Sequence, residues 1–182
     1  MTMERHILIC GDPGIGKSTL LDRLLLEDGR PVSGFRTKKL SPDADGIAEV
    51  ILYPAWDLSR SGRKRIGICR DRILETYPQV FETLGVSLIR EARQGTVLLM
   101  DELGRMESEA PAFQRAVLEA LEGTVPVYAA VKSLTGVPFL DRVRESGTAD
   151  LFRINRENRD ALTEMLLREV RARRVRREQA GD

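Results

Sequence analysis

The sequence predicts an α/β fold: a mostly parallel sheet sandwiched by helices, with an antiparallel ribbon inserted into it. Three observations predict it. Short apolar runs alternate with amphipathic stretches along most of the 182 residues, the pattern of repeated strand–helix–strand units whose parallel sheet is covered on both faces. Over residues 41–75 the alternation lapses, and two strand-like runs are separated only by polar turns. A glycine-rich segment at 11–18 sits between the first apolar run and the first amphipathic one.

The elements follow in order. Residues 5–10 (RHILIC) read as a buried strand, and 17–27 as a helix with Leu20, Leu21, Leu24 and Leu25 on one face. Gly29 and Pro31 stop that helix. A second strand spans 32–40, and Pro42, Asp43, Asp45 and Gly46 make a turn. Strands at 47–53 and 64–70 form the ribbon, joined by a polar loop with Ser59, Ser61 and Gly62. A helix over 81–93 carries Phe81, Leu84, Leu88 and Ala92 inward and ends at Gly95. Strand 96–101 (TVLLMD) precedes a helix at 110–121, which opens on Pro111, buries Phe113, Val117 and Leu121 and ends before Gly123. Strand 125–131, a helix near 136–146 and a short strand near 148–154 come next. The last helix, 157–175, is capped by Asn155 and buries Leu162, Met165, Leu166 and Val170. Residues 176–182 are expected to fray, with the run Arg168, Arg171, Arg173, Arg174, Arg176 and Arg177 as a solvated helix end rather than a phosphate-binding tail.

Composition excludes several chemistries. The length suits one domain, residues 1–182. His6 is the single histidine, so no multi-histidine metal site forms within one chain, and a Ser-His-Asp mechanism would rest on that one residue. Cys10 and Cys69 match no zinc spacing and suit a reducing compartment. Residues 1–91 carry 14 basic and 13 acidic groups, and residues 92–182 carry 15 of each. Neither half therefore has the field that nucleic acid or anionic lipid binding needs. No apolar run is long enough for a signal peptide or a bilayer span, and a cytoplasmic location is expected.

The chemistry is concentrated in two motifs. Gly11, Asp12, Pro13, Gly14, Ile15, Gly16, Lys17 and Ser18 spell GxxxxGKS in full between a strand and a helix, which is the context this motif requires. Its glycines let backbone N–H groups turn onto phosphate oxygens, and the helix adds the positive end of its dipole. Lys17 reaches the β- and γ-phosphates, Ser18 offers its hydroxyl to Mg²⁺, and Thr19 extends the run of donors. The second motif is the apolar strand 96–100 ending in Asp101 and Glu102. Asp101 is a second Mg²⁺ residue. Glu102, at the carboxyl end of a strand where open α/β sheets bind ligands, is placed to deprotonate an attacking water. Asp101 to Gly104 also fits the DxxG pattern of regulatory GTPases, but no guanine-reading Asp stands in register after the strand 125–131.

With these motifs the chain resembles the small nucleoside-triphosphatases of archaea and bacteria, related to the vertebrate cancer-related nucleoside-triphosphatase. The resemblance covers essentially the whole chain and rests on GDPGIGKST at 11–19, GFRT at 34–37, DELGRME at 101–107 and ENRD at 157–160. It implies a P-loop NTPase of the additional-strand, catalytic-glutamate type, similar to RecA and AAA ATPases. It also implies slow, Mg²⁺-dependent hydrolysis of nucleoside triphosphates with broad base tolerance. Residues 11–18 would bind the triphosphate, and Leu98, Leu99, Met100, Asp101, Glu102, Leu103, Gly104 and Arg105 would line the other side of the nucleotide.

Further candidates stand beside these. Arg36 and Arg105 are the two positions for an arginine that stabilises transition-state charge, Arg105 being the catalytic assignment made here. Lys132 ends a strand where a γ-phosphate sensor would stand. Trp56 is expected to pack against the sheet, and Cys10 to be buried. Two other readings remain open: a small-molecule or nucleotide kinase, whose lid would be the ribbon with Arg60, Arg63, Arg65, Arg70 and Arg72, and a nucleotide-dependent switch. The expected partner is a nucleoside triphosphate, without membrane or nucleic acid; a protein partner is not indicated.

Overall fold

The computed structural model describes residues 4–181. Residues 1–3 and 182 of the expected domain lie outside that range. Eight strands form one sheet in the order β5-β4-β3-β2-β6-β7-β1-β8. Its parallel part consists of β2 (Val32–Lys39), β6 (Val97–Leu103), β7 (Val127–Lys132), β1 (His6–Gly11) and β8 (Ala149–Arg153). β7 lies between β1 and β6, so the strand ending in the glycine-rich loop and the strand ending in Asp101 are separated by one added strand, as expected. β3 (Ala48–Pro54), β4 (Lys64–Cys69) and β5 (Ile73–Thr76) extend the sheet antiparallel from β2. The ribbon thus has a third strand that the sequence pattern did not show. β5 is an edge strand with Ile73 and Leu74 half exposed, so it has no buried face to impose alternation.

Each sheet face buries its own cluster. Alternate residues of the central strands divide between the two faces, as period-2 side chains must: Leu8, Leu98, Met100, Ala129 and Val131 to one, Ile7, Ile9, Leu99, Tyr128 and Ala130 to the other. Helix α1 (Lys17–Asp28) covers the second face with its four expected leucines, together with Leu166 and Val170 of α6 (Arg159–Ala180). The first face takes α4 (Pro111–Glu122), α5 (Pro138–Arg144) and the helical segment 78–90. That segment is α2 (Pro78–Val80), a wider π-helical stretch Phe81–Gly85, and α3 (Val86–Arg90). It begins three residues before, and ends three residues before, the span read from periodicity, because one π turn shifts the apolar register. Its reason is packing: a Cβ on Gly85 would lie 2.7 Å from the Phe113 ring, and Phe113 stacks obliquely on Phe35 and edge-on to Phe81 with centroids 5.4 and 5.1 Å apart. On β2, Gly34 has φ 95° and sits so close to β6 that a Cβ would meet the Leu99 carbonyl, which only glycine permits.

Three expectations are corrected. Trp56 does not pack on the sheet; it is 64% exposed in the β3–β4 loop, which Asp57 organises instead by accepting hydrogen bonds from Ser59, Ser61 and the Gly62 N–H. Met165 is exposed on α6. The helix does not fray from 176: it continues to Ala180, because its arginines are held by acids distant in sequence. Arg177 donates to Asp28 at 3.3 Å, Arg171 to Glu27 at 2.9 Å, and Arg173 pairs with Glu4 at 3.6 Å. The Asp28 carboxylate also accepts from Arg30 at 2.6 Å and from the Tyr128 hydroxyl at 2.8 Å. Asn155 Oδ1 caps the turn entering α6 by accepting from the N–H groups of Glu157 and Asn158, while Asn158 Oδ1 reaches back to accept the Asn155 N–H. This is a reciprocal capping box built from two asparagines. His6 is buried as an uncharged strut that accepts from the Val127 N–H and faces the Leu121 carbonyl, and burial holds its pKa below the usual value. Among the described residues no helix is long and apolar enough to cross a membrane.

Candidate functional site

The site lies where β1 and β6 end. β1 runs out at Gly11, and the chain turns through Gly14 (φ 74°) and Gly16 (φ 110°) into α1. Gly16 is the residue before the helix, in the left-handed region that glycine adopts without strain, and this turn aims the first N–H groups of α1 into the space in front of β6. Lys17 is buried and folds back over the loop: its Nζ donates to the carbonyls of Gly11 at 2.8 Å and Asp12 at 2.9 Å. Ser18 Oγ donates to Asp101 Oδ1 at 2.9 Å. The two motifs, 83 residues apart in sequence, therefore meet.

β6 extends through Glu102 and Leu103, two residues beyond the expected end, and the Asp101–Glu102 peptide is cis. Asp101 is buried, and burial pushes its carboxyl up to about 6 against the opposing Ser18 hydrogen bond and the Arg36 charge. Arg36 Nη1 donates to Asp101 Oδ2 at 3.1 Å and its Nη2 to Asp22 on α1. Both amino groups of Arg36 are thus occupied by carboxylates, and the candidate transition-state arginine instead neutralises Asp101. Glu102 stands between two ammonium groups, Lys17 Nζ at 3.3 Å and Lys132 Nζ at 3.4 Å. Its N–H donates to Thr37 Oγ1 at 3.2 Å. Thr37 belongs to the GFRT motif, but the sequence gives it no role of its own, because its partner arrives through β2–β6 pairing.

The turn after β6 is fixed by Glu107. This carboxyl is buried and accepts the Gly104 N–H, while Gln114 Nε2 donates to the Glu107 carbonyl at 2.9 Å. Burial pushes Glu107 up to about 7, against the lowering effect of the Gly104 and Glu107 N–H groups and the Lys132 charge. Gly104 lies under the Lys132 stem, 3.1 Å from Cδ if it bore a Cβ. Arg105 is exposed and makes no ion pair among the described residues.

A cavity of about 690 Å³ opens in front of these groups. Pro13, Gly14, Gly16, Lys17, Ser18, Thr19, Asp101, Glu102, Gly104 and Arg105 all line it. Asp12, Pro13, Gly14 and Ile15 also line a separate groove of about 360 Å³ on the other side of the loop, with Asn155, Arg156 and Glu157. Leu98, Leu99, Met100 and Leu103 do not reach the cavity. They are buried in the sheet cores, because consecutive strand residues face the covered faces and only the strand's carboxyl end meets ligand. Gly11 likewise lies behind the loop, against Ile154. A hydroxyl and a carboxylate already in hydrogen-bond contact are hard oxygen donors, and the set fits a Mg²⁺ ion that takes its other ligands from water and phosphate. Among the described residues no group of three or more His, Cys, Asp or Glu side chains is placed to hold a metal.

A family profile described as NTPase matches residues 6–167. The chain is 30% identical to the cancer-related nucleoside-triphosphatase homolog of Mus musculus, over 88% of this chain and 93% of that protein. It is 29% identical to the nucleoside-triphosphatase THEP1 of Thermofilum pendens, over 91% and 95%. Its fold is similar to the crystal structure of THEP1 from Aquifex aeolicus, with a TM-score of 0.72 at 24% identity, covering 91% of this chain and 98% of that one. The solution structure of a human cancer-related nucleoside triphosphatase gives 0.70 at 24% identity, over 93% and 98%. A profile that spans the sheet from β1 into α6, with the glycine-rich loop and the Asp101–Glu102 strand end both inside it, places the chain in the NTPase family.

Proposed function

We propose that the protein is an enzyme that hydrolyses nucleoside triphosphates to the diphosphate and phosphate, in a Mg²⁺-dependent reaction that is slow and broad in base preference. The observation that carries this reading is the meeting of Lys17, Ser18, Asp101 and Glu102 at one end of one cavity. The names of the relatives, nucleoside-triphosphatases, support the same activity.

The loop N–H groups and the N-terminus of α1 bind the phosphates. Lys17 exchanges the Gly11 and Asp12 carbonyls for β- and γ-phosphate oxygens. Ser18 and Asp101 hold Mg²⁺, which when bound neutralises charge developing on the β,γ-phosphate oxygens. Glu102 orients the attacking water and takes its proton. Each of its two lysine neighbours occupies one of its oxygens, which supports a slow reaction: an oxygen is released to water only when substrate draws Lys17 away. Arg105, exposed at the rim, closes on the departing charge. Lys132 holds the second oxygen of Glu102.

The groove formed by Asp12 to Ile15 and Asn155 to Glu157 supports broad base tolerance. Every residue on it is at least partly exposed, and a wet, open groove discriminates weakly compared with buried polar groups fitted to one base. The balanced charge supports a free nucleotide as substrate rather than a polymer, and two buried, unbridged cysteines support a reducing, cytoplasmic setting.

The test is phosphate release across ATP, GTP, CTP and UTP, with and without Mg²⁺, for the protein and for Glu102→Gln. We expect activity with each triphosphate, lost on chelation. The variant should retain nucleotide affinity and lose about 100-fold or more in turnover. Undiminished turnover in Glu102→Gln refutes the assignment.

A further inference from the structure

The cavity is larger than the nucleotide chemistry uses, and it extends in a direction that chemistry does not explain. Lys17 marks the γ-phosphate end, so the base is left to the separate groove at Asn155 to Glu157 on the far side of the loop. From Glu102 and Lys132 the main cavity continues away from that groove and onto the ribbon. Its ribbon end has a cationic rim, Lys39, Arg70 and Arg72, with Asp71 the one acid among them, and an apolar wall of Val50, Ile73 and Met106 backed by the buried Ile66 and Phe81. Neither Arg70 nor Arg72 makes an ion pair among the described residues. The other ribbon arginines are turned elsewhere: Arg60 stacks on Tyr53, Arg65 binds Glu49, and Arg63 does not line the cavity.

The walls are built, not loose. Met106, in the turn after β6, lies over Gly67 of β4, where a Cβ would be 3.3 Å from its Cε. Lys39 Nζ donates to the Arg70 carbonyl at 3.3 Å, fastening the end of β2 to the β4–β5 turn. Phosphates and a metal ion need no apolar wall. Cations beside apolar surface, in a cavity of small-molecule size, suit a ligand with an anionic group and an apolar or aromatic body.

We propose that the ribbon end of the cavity is a second ligand site, which binds a small organic anion beside the γ-phosphate while the nucleotide is in place. Arg70 and Arg72 hold the anionic group, and the partly exposed apolar surface of Val50, Ile73 and Met106 covers the body. The inference rests on the reading of the P-loop end as the nucleotide site.

The experiment uses a nucleoside monophosphate as probe, since it combines one phosphate with one aromatic base. AMP and UMP are titrated calorimetrically into the full chain saturated with Mg²⁺ and a non-hydrolysable ATP analogue, with inorganic phosphate and adenosine as the separate halves. We expect one saturable monophosphate site per chain with the analogue bound, and each half at least tenfold weaker than the whole. Arg70→Gln/Arg72→Gln should weaken the probe at least tenfold at an unchanged melting temperature, and Ile73→Gln, at the apolar rim, should weaken it while adenosine binding falls in parallel. Arg63→Gln, on the same ribbon outside the cavity, should leave it unchanged. Probe binding that disappears when the analogue is present, or that is equal in the double variant, overturns the second site and leaves the hydrolase reading standing. Analogue binding that does not depend on Lys17 overturns both.

Discussion

Glu107 provides a sharp test of how the turn beneath the site is held. Its carboxyl is buried and accepts the Gly104 N–H, and burial lifts its pKa from the ordinary 4.5 to about 7. Between those two pH values the folded protein keeps a proton that the unfolded chain releases. The folded state therefore loses stability as pH rises through this window, at about 1.36 kcal/mol per pH unit, or about 3 kcal/mol in all. Above pH 7 the loss is complete, and the ionised carboxylate is retained at that cost.

Glu107→Gln keeps an oxygen for the Gly104 N–H and cannot ionise. Urea unfolding of both proteins at intervals from pH 5 to pH 8 checks the reasoning, because the other groups that titrate in this window, His6 included, are common to both and cancel in the difference. We expect the variant to gain on the parent by roughly 2–3 kcal/mol across the series, with equal dependence on urea. A difference constant to within about 0.5 kcal/mol across the series would mean that Glu107 is solvated or paired in the folded state, and would refute the argument.

Further predictions follow from the same structure. Asp28→Ala leaves the buried Tyr128 hydroxyl without its acceptor and leaves Arg30 and Arg177 with Glu4 as their shared carboxylate, and should cost about 1–3 kcal/mol in urea unfolding; a loss below about 0.5 kcal/mol would show the network to be solvated. Lys17→Ala should abolish nucleotide binding in equilibrium dialysis, since the loop loses its one buried cation. Asn158→Ala removes the reciprocal half of the cap on α6 and should lower stability by about 1 kcal/mol without changing turnover, so a change in turnover at unchanged stability would assign Asn158 to the site instead.

Which of these features are visible in the sequence follows from how far each one's partners lie along the chain. The P-loop is fully legible because its chemistry is local: glycine spacing, one lysine and one hydroxyl within eight residues, between a strand and a helix. The π turn at Phe81–Gly85 is not, since an apolar residue every third or fourth position fits a regular helix until crowding from a distant ring is known, and here that ring is Phe113. The C-terminal arginines look like a solvated end because like charges in a row carry no sign of their partners, which are Glu4, Glu27 and Asp28 at the opposite end of the chain. Strand β6 shows the same division. DE after an apolar run identifies Asp101 and Glu102, but the groups that set their behaviour come from elsewhere: Arg36 and Thr37 through β2, and Lys132 through β7. Sheet order brings these together, since β2 and β7 are the two neighbours of β6. The added strand therefore has a chemical consequence as well as a topological one. By placing β7 beside β6 it delivers Lys132 to Glu102, and a fold with β1 in that position would leave Glu102 with Lys17 as its one counter-charge.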